Sequence, residues 1–430
     1  MSIPQRAVAL LVAIIVLAGA SALAVRGLDP GVGAAQTQSP ATTPRETPSP
    51  SPSPARSASP DDAAIFAEIE AAVEANRGLP PAEIAPPELI SREELGAELE
   101  TIFAEEYPLE EQRRDVVALR ALGLLTAEQE IAPLQLQLLG DQVLGFYDPI
   151  DQRMVVVSDA GITAESKITY AHEYTHALQD AAFDLTNFQD EVADDDDQSL
   201  ARTGVFEGDA SLSMLSWAIN GGLTPDELLG LTQIDVPDTT GIPGWMVAQL
   251  EFPYTAGFEW ASRVAGGDPL APDWPALDAA FADPPQSSEQ ILHFEKWEAG
   301  EAPMSVDLPD LAAALGSGWE ATDTTTLGEA MIGDALTFLG VEGATATAAA
   351  AGWGGDRVTV ATGPDDTFAL LWRIAWDTEA DATEFVAAYE TARDALPFAS
   401  DVRTLVGGGV LIAHGSSRDI VTSALDAAGE

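Results

Sequence analysis

The stretch ITYAHEYTHALQD, residues 168–180, decides the fold, and it places two of the chain's four histidines, His172 and His176, four residues apart. On an α-helix, residues i and i+4 lie one above the other, about 5–6 Å apart at Cβ. The stretch contains no proline and keeps apolar residues along one packing face. It therefore predicts a helix from about residue 163 to about residue 184, with two imidazoles that can reach one ion.

Zinc suits this spacing, because it binds histidine nitrogens at about 2.0–2.1 Å. Glu173 follows the first histidine and is rotated from it by about 100° along the helix, so we expect it beside the metal's water molecule and not on the metal. Zinc lowers the pKa of water toward about 7, and a neighbouring carboxylate can accept the proton as the water attacks a carbonyl. The motif predicts a zinc hydrolase with Glu173 as general base. The alternative is a helix that carries two histidines incidentally.

A third ligand must come from elsewhere, and the chain has no cysteine, so histidines and carboxylates are the available ligands. Glu207, in VFEGDASL, lies on the next predicted helix, residues 199–219, where small neighbours such as Gly208 allow two helices to approach closely. We expect Glu207 to be the third ligand. Asp180, four residues after His176, is expected to orient that histidine. Acids nearer in sequence remain alternatives for the third ligand, namely Asp180, Asp184, Asp190 and Glu191.

HEYTHALQD followed by a glutamate on the next predicted helix resembles the gluzincins, the HExxH zinc metallopeptidases whose active-site helices are of the thermolysin type. A wider likeness is to uncharacterised exported bacterial HExxH proteins. In these the segments FYDP, EGDA, PPxSxEQxLH and GWGGDR occur in the order found here, at residues 146–149, 207–210, 284–293 and 352–357. The resemblance implies a zinc-dependent peptidase. It departs from the thermolysin type at Ser211, where an aspartate would help to orient a histidine ligand.

Gluzincins also use a tyrosine or histidine from a later element to stabilise the oxyanion of the tetrahedral intermediate. The resemblance implies this role for His293, in SSEQILHFEKW, or for Tyr254, in EFPYTAGFEW. For each residue the alternative is a buried structural position. His414, at the end of an apolar run, is expected to be structural, and GWGGDR is interpreted as a turn packed by Trp353.

The composition divides the chain into four segments. In residues 1–26, Arg6 precedes nineteen uncharged residues, AVALLVAIIVLAGASALAV, which predict a retained membrane anchor or a signal peptide cleaved after Ala24. Residues 27–60 are rich in proline and serine and predict a disordered linker. We expect an α+β fold, in which residues 61–321 form a mostly helical, zincin-like domain with a β-hairpin at 143–159. Residues 322–430 are predicted to form a small α+β domain.

The charge limits the partners. The chain carries 70 Asp and Glu against 19 Lys and Arg, a formal net charge of −51, so nucleic acid and anionic lipid are excluded as partners beyond the N-terminal membrane segment. The sequence predicts a zinc peptidase acting on peptides or proteins, either anchored to the cell membrane with its catalytic domain outside the cytoplasm or secreted. The alternatives are a catalytically inert binding module at the cell surface and a zinc hydrolase of non-peptide amides or esters.

Overall fold

The computed structural model describes residues 59–232, 238–322 and 324–429, together with the backbone of residues 12–13 and 56–57. These residues form a mixed α+β fold that is mostly helical and contains two small sheets, as expected for the fold class. Apart from those two pairs of residues, the predicted membrane segment 7–25 and the linker up to residue 58 lie outside this description. Among the helices that are described, none combines the length and the apolar character needed to cross a membrane.

The α-helices occur along the whole described chain. In order they are α1 Pro60–Arg77, α2 Arg92–Glu106, α3 Leu109–Leu122, α4 Ile131–Gln142, α5 Ala164–Phe183, α6 Leu185–Asp190, α7 Asp196–Trp217, α8 Pro225–Leu231 and α9 Gly244–Phe252. The later ones are α10 Phe258–Val264, α11 Trp274–Ala282, α12 Ser288–Leu292, α13 Phe294–Ala299, α14 Leu311–Leu315, α15 Gly328–Phe338, α16 Gly343–Ala350, α17 Glu379–Arg393 and α18 Arg418–Ala427. Two π-helical turns, Ala218–Gly222 and Pro253–Gly257, follow α7 and α9, and a 3₁₀ turn spans Pro364–Asp366.

The strands form two sheets. They are β1 Val12–Ala13, β2 Arg56–Ser57, β3 Glu88–Ile90, β4 Gly145–Asp148, β5 Arg153–Val157, β6 Glu320–Ala321, β7 Trp353–Thr362, β8 Phe368–Trp376, β9 Ala399–Thr404 and β10 Val410–Gly415. The first sheet has the order β1-β4-β5-β3-β2, and the second has the order β6-β7-β8-β10-β9. β4 and β5 pair antiparallel from Gly145↔Val156 to Asp148↔Arg153, so the predicted hairpin is confirmed.

The HEYTH stretch lies on the central helix α5, with the predicted bounds. Thr163 caps its first turn by accepting a hydrogen bond from Ser166 N at 3.2 Å, and Asp184 ends it in a left-handed conformation with φ 55°. Side chains on all of its faces are buried in the middle of the helix, where α1, α7 and β4 surround it. The side chains of the motif are therefore buried.

α7 approaches the π-helical turn Pro253–Gly257 through glycine. A Cβ atom added to Gly208 would lie 2.3 Å from the carbonyl oxygen of Gly257, and one added to Gly257 would lie 2.5 Å from the carbonyl oxygen of Gly204. Real Cβ atoms do not come this close to backbone oxygens, so the two elements can touch only where side chains are missing. The contact holds the π-helical turn against the face of α7 that carries Glu207.

The predicted start of the second helix at residue 199 is wrong, because α7 begins at Asp196. Asp195 caps α7 by accepting a hydrogen bond from Gln198 N at 3.1 Å, and Asp196 and Asp197 form its first turn. Acidic side chains stabilise the N-terminus of a helix because they satisfy its free N–H groups and oppose its dipole. The run of acids therefore starts the helix that the sequence analysis began at residue 199.

The interpretation of GWGGDR as a turn is correct only for Gly352, which lies in a turn with φ 77°. Trp353 begins strand β7, which has a register shift between Trp353 and Gly355, and its indole N–H donates to Asp356 at 2.9 Å. Gly355 is needed there, because a Cβ atom would lie 2.2 Å from the carbonyl oxygen of Met304. The glycines suggested a turn, but they permit a bulged strand to pack against a neighbouring loop.

One hydrophobic core joins the helices before the hairpin to the second sheet. Leu119 on α3 belongs to the same buried cluster as Val358 on β7 and Ile412 on β10. Nδ1 of His414 on β10 lies 2.7 Å from the carbonyl oxygen of Ala121 on α3. The residues on either side of the predicted boundary at 321/322 therefore share an interior.

Substituting Gly208→Ala should lower the free energy of unfolding by about 1–3 kcal/mol, because the new methyl group overlaps a backbone oxygen that no rotamer change can move. Gly204→Ala on the same helix is the matched control. Its Cβ would meet its nearest neighbours at 3.6 Å, so its stability should be unchanged or higher. Urea unfolding of the full-length chain measures both, and equal stabilities of the two variants would contradict the close contact.

Candidate metal centre

Three potential ligand atoms converge between α5 and α7. His172 Nε2 lies 2.9 Å from His176 Nε2 and 3.1 Å from Glu207 Oε2, and His176 Nε2 lies 3.4 Å from the same oxygen. The three side chains are at most 2% exposed. The structure thus brings together the three residues that the sequence predicts as metal ligands, one helical turn apart on α5 and opposite them on α7.

The spacing of these atoms suits a small divalent cation. Three atoms at about 2.0–2.1 Å from one tetrahedral ion would be about 3.3–3.4 Å apart, and the observed separations are close to this. Two imidazoles and one carboxylate are a ligand set of catalytic zinc sites, in which a fourth position stays open. Among the described residues, a second cluster of carboxylates, Glu289, Glu301 and Asp377, could also be considered for a metal.

That second cluster already has its cation. Lys296 Nζ lies 2.7 Å from Glu289, 2.7 Å from Glu301 and 2.5 Å from Asp377. One ammonium group therefore neutralises part of the charge and occupies the position between the three carboxylates. The cluster is an ion-pair network, and the group on α5 and α7 is the better metal site.

The protonation states of His172 and Glu207 suit metal binding. Burial lowers the pKa of His172, which favours the neutral imidazole that a metal requires. Burial alone would raise the pKa of the Glu207 carboxyl, but the neighbouring imidazoles of His176 and His172 outweigh it and lower this pKa to about 2. Glu207 is therefore a carboxylate beside a neutral His172.

Glu173 lies next to His172 on α5 but turns toward the hairpin. Its Oε2 accepts a hydrogen bond from the backbone N–H of Tyr147 on β4 at 2.8 Å, whereas its buried Oε1 has no hydrogen-bond partner among the residues described. Burial, reinforced by the charge of Glu207, raises its pKa well above the ordinary value. One oxygen of Glu173 is thus held by the sheet, and the other has no partner among the described residues.

Tyr254 is the sequence-predicted oxyanion donor that the structure brings to this group. Its hydroxyl donates to Glu207 Oε1 at 2.8 Å, and its ring centroid lies 6.2 Å from that of His172. Burial, followed by the nearby charge of Glu207, raises the pKa of its phenol well above the ordinary value, so it stays a donor. The π-helical turn Pro253–Gly257 and its glycine contact with α7 hold the residue there.

His293 is placed elsewhere. It ends α12, where its Nε2 meets Glu329 Oε1 at 2.8 Å, and a third of its side chain (33%) is exposed. The structure does not bring it into contact with Glu173 or the three ligand candidates. His414 is structural, as expected, since its Nε2 meets the Tyr389 hydroxyl at 2.7 Å inside the second sheet's core.

The expectation that Asp180 orients His176 is wrong. Asp180 instead accepts hydrogen bonds from the Tyr147 hydroxyl at 3.0 Å and from Leu185 N at 3.1 Å. His176 Nδ1 meets Oε1 of Gln179, three residues along the helix, at 2.7 Å. Positions i+3 and i+4 are both neighbours on a helix, and here the shorter spacing reaches the imidazole.

Gln179 belongs to a chain of buried polar groups that the sequence analysis missed. Its Nε2 donates to Asp209 Oδ2 at 2.8 Å, and Asp209 accepts from Arg77 Nε at 2.8 Å. Asp209 comes two residues after Glu207, and Arg77 ends α1, 132 residues earlier in the chain. The only local signal was a charged residue close to Glu207 on a buried helix, and nothing in the sequence connects it to Arg77.

Comparison with known proteins adds one match. Residues 315–418 match a domain of unknown function (DUF8575), and no curated protein and no solved structure matches the chain. The match covers less than half of the chain and does not include the ligand candidates on α5 and α7. It overlaps the C-terminal segment, residues 322–430. That this segment forms a separate domain stays a prediction.

The pair His293–Glu329 should make stability depend on pH. The hydrogen bond to Glu329 raises the pKa of His293, so this contribution is fully present below the unfolded-state pKa of about 6.5 and is lost as the pH rises through the higher folded-state value. Urea unfolding should show a larger difference between wild type and His293→Gln at pH 5.5 than at pH 9. We expect this difference in unfolding free energy to change by less than about 1 kcal/mol between the two pH values, because the pair is partly exposed. In a Glu329→Gln background the pH dependence of this difference should disappear, and its persistence would contradict the pairing.

Proposed function

We propose that this chain is a zinc-dependent peptidase with a zincin-like catalytic region. The observation that carries the proposal is the convergence of His172 Nε2, His176 Nε2 and Glu207 Oε2 within 3.4 Å, beside a carboxylate oxygen of Glu173 that has no partner among the described residues. The ligand set, its burial and the adjacent base together support a hydrolytic centre over an incidental pair of histidines.

His172, His176 and Glu207 would hold the ion. When bound, zinc would supply a Lewis acid that polarises a carbonyl group and lowers the pKa of water. Glu173 is proposed to accept the proton of the attacking water and to pass it to the leaving amine. The N–H of Tyr147 holds one oxygen of Glu173, which leaves the other oxygen as the proton acceptor.

Tyr254 is proposed to donate to the oxyanion that forms as the carbonyl is attacked. Its phenol is buried and protonated, and its single proton, now donated to Glu207 Oε1 at 2.8 Å, would turn to the oxyanion. Of the two donors that the resemblance implies, Tyr254 is supported by its position, whereas His293 pairs with Glu329.

An extended peptide or protein segment is the proposed substrate, held along β4 above α5. β4 contacts α5, and its outer edge at Tyr147 and Phe146 is paired antiparallel with the two-residue strand β1, whose place the substrate would take. Backbone pairing at a strand edge is a common way to bind an extended peptide. With residues 1–26 as anchor or signal peptide, we propose that the enzyme acts outside the cytoplasm, either at the membrane or secreted.

The metal is tested by the zinc content of the full-length protein. Wild type should contain about one zinc per chain, and His176→Ala and Glu207→Ala should lose it, because two protein ligands rarely hold zinc. His293→Gln is the control and should retain it, since its partner is Glu329. Full zinc content in both ligand variants would refute the proposed centre.

Catalysis is tested with Glu173→Gln and Tyr254→Phe at matched zinc occupancy. Glu173→Gln should keep the zinc and lose nearly all hydrolysis of peptides, because an amide cannot accept the proton. Tyr254→Phe should lower kcat by about 10²–10³-fold with a small change in KM, the effect of losing one donor to the transition state.

The alternatives give different results in the same assays. A catalytically inert binding module would bind zinc but hydrolyse nothing, in wild type and variants alike. A zinc hydrolase of non-peptide amides or esters would hydrolyse those substrates and leave a peptide library intact. Equal peptide hydrolysis by wild type and Glu173→Gln would refute the proposed role of Glu173.

A further inference from the structure

We propose that Gln179, Asp209 and Arg77 act as positioning residues that fix the tautomer of His176, so that its Nε2 presents a lone pair to the metal centre. The role proposed for these residues rests on the proposed zinc site. Their geometry is a separate observation, because their hydrogen bonds reach Nδ1 of His176 and not the Nε2 atom that faces the other ligands. We call these three residues the relay.

The first step is the orientation of the Gln179 amide. Its Nε2 lies 2.8 Å from Asp209 Oδ2 and 2.9 Å from the carbonyl oxygen of Phe206. Both oxygens can only accept, so the nitrogen of the amide must face them and Oε1 must face His176. Because Oε1 also can only accept, the His176 Nδ1 that lies 2.7 Å from it must carry a proton.

The second step is the anchoring of Asp209. Arg77 donates to it through Nε at 2.8 Å and 3.1 Å and through its terminal nitrogen at 3.0 Å, and the same guanidinium lies 2.7 Å from Asp278. Arg77, Asp209 and Gln179 are fully buried. A buried ion pair with two-pronged geometry has little freedom to rotate, because any other arrangement would leave a charge unpaired in the interior.

The tautomer of His176 decides which of its nitrogens can bind a metal. A neutral imidazole with a proton on Nδ1 has its lone pair on Nε2, the atom that lies 2.9 Å from His172 and 3.4 Å from Glu207. His176 can therefore bind a metal without changing its tautomer. His172 differs, because its buried Nδ1 has no hydrogen-bond partner within the described part of the chain. The relay thus acts on one of the two histidines, and the other serves as an internal comparison.

The tautomer is measured directly by NMR on metal-free, full-length protein with ¹⁵N-labelled histidines, of which the chain has four. At a pH where His176 is neutral, wild type should show the Nδ1–H form, and Gln179→Leu should shift it toward the Nε2–H form. Gln189→Leu is the matched control, because Gln189 is a buried glutamine that donates to Thr203 and not to a histidine. An Nε2–H form in wild type, or no shift in Gln179→Leu, would overturn the proposal.

Zinc affinity gives the second readout. Gln179→Leu should weaken zinc binding by about 10–100-fold in competition with a chelator, the range found for outer-shell partners, and Gln189→Leu should not. Equal affinities of these two folded variants would overturn the proposal.

Two double variants separate positioning from packing. In the double variant Gln179→Glu with Asp209→Asn, the new carboxylate at position 179 can accept from His176, and the new amide at position 209 can donate to that carboxylate. The Nδ1–H form of His176 and a zinc affinity near that of wild type should therefore return. In Gln179→Leu with Asp209→Asn neither should return, although the same residue 209 is present. The proposal would be overturned if the first double variant showed no more of the Nδ1–H form and no tighter zinc binding than the second. Absence of zinc from wild type would refute the proposed function alone, since the tautomer can still be measured.

Discussion

Two buried carboxylates on α7, Glu207 and Asp209, impose the constraint on which the rest of the structure depends. A polar group that is removed from water without a partner costs about 1–3 kcal/mol, and a charge costs more. Glu207 meets this constraint by accepting from Tyr254 and facing two imidazoles, and Asp209 meets it through Arg77. These partners come from α1, α5 and the π-helical turn, so the arrangement of those elements follows from the need to satisfy two carboxylates.

The atoms left without partners are as informative as those that have them. Within the described residues of the centre, Glu173 Oε1 and His172 Nδ1 are buried and unsatisfied. A buried oxygen without a partner is costly, and here one belongs to the residue proposed as the base. Its neighbour Oε2 is bonded to the backbone of β4, so the sheet decides which oxygen stays free.

The sequence predicted those parts of the site that local geometry determines. The i, i+4 spacing of His172 and His176 needs only a helix, and Glu207 required only that the next helix return alongside α5. Gln179 was missed because i+3 and i+4 are equally close on a helix, and Arg77 because its contact with Asp209 spans 132 residues. His293 was implied by resemblance to a family segment, which does not specify a distance.

The fold was predictable to a similar depth. The hairpin and the bounds of α5 follow from periodicity and from turn and capping residues. Strand β7 was missed at its start because its glycines serve a close backbone contact instead of a turn. The core that joins α3 to the second sheet could not be foreseen, because hydrophobic periodicity tells which face of an element is buried but not against what.

The near-complete burial of His172, His176 and Glu207, each at most 2% exposed, has a kinetic consequence for any ion held there. Because α5 and α7 enclose the three ligands, the ion is released only when these side chains move apart, so its residence time is governed by the rate of that local motion. Chelators would then remove it at a rate independent of their own concentration once they are in excess.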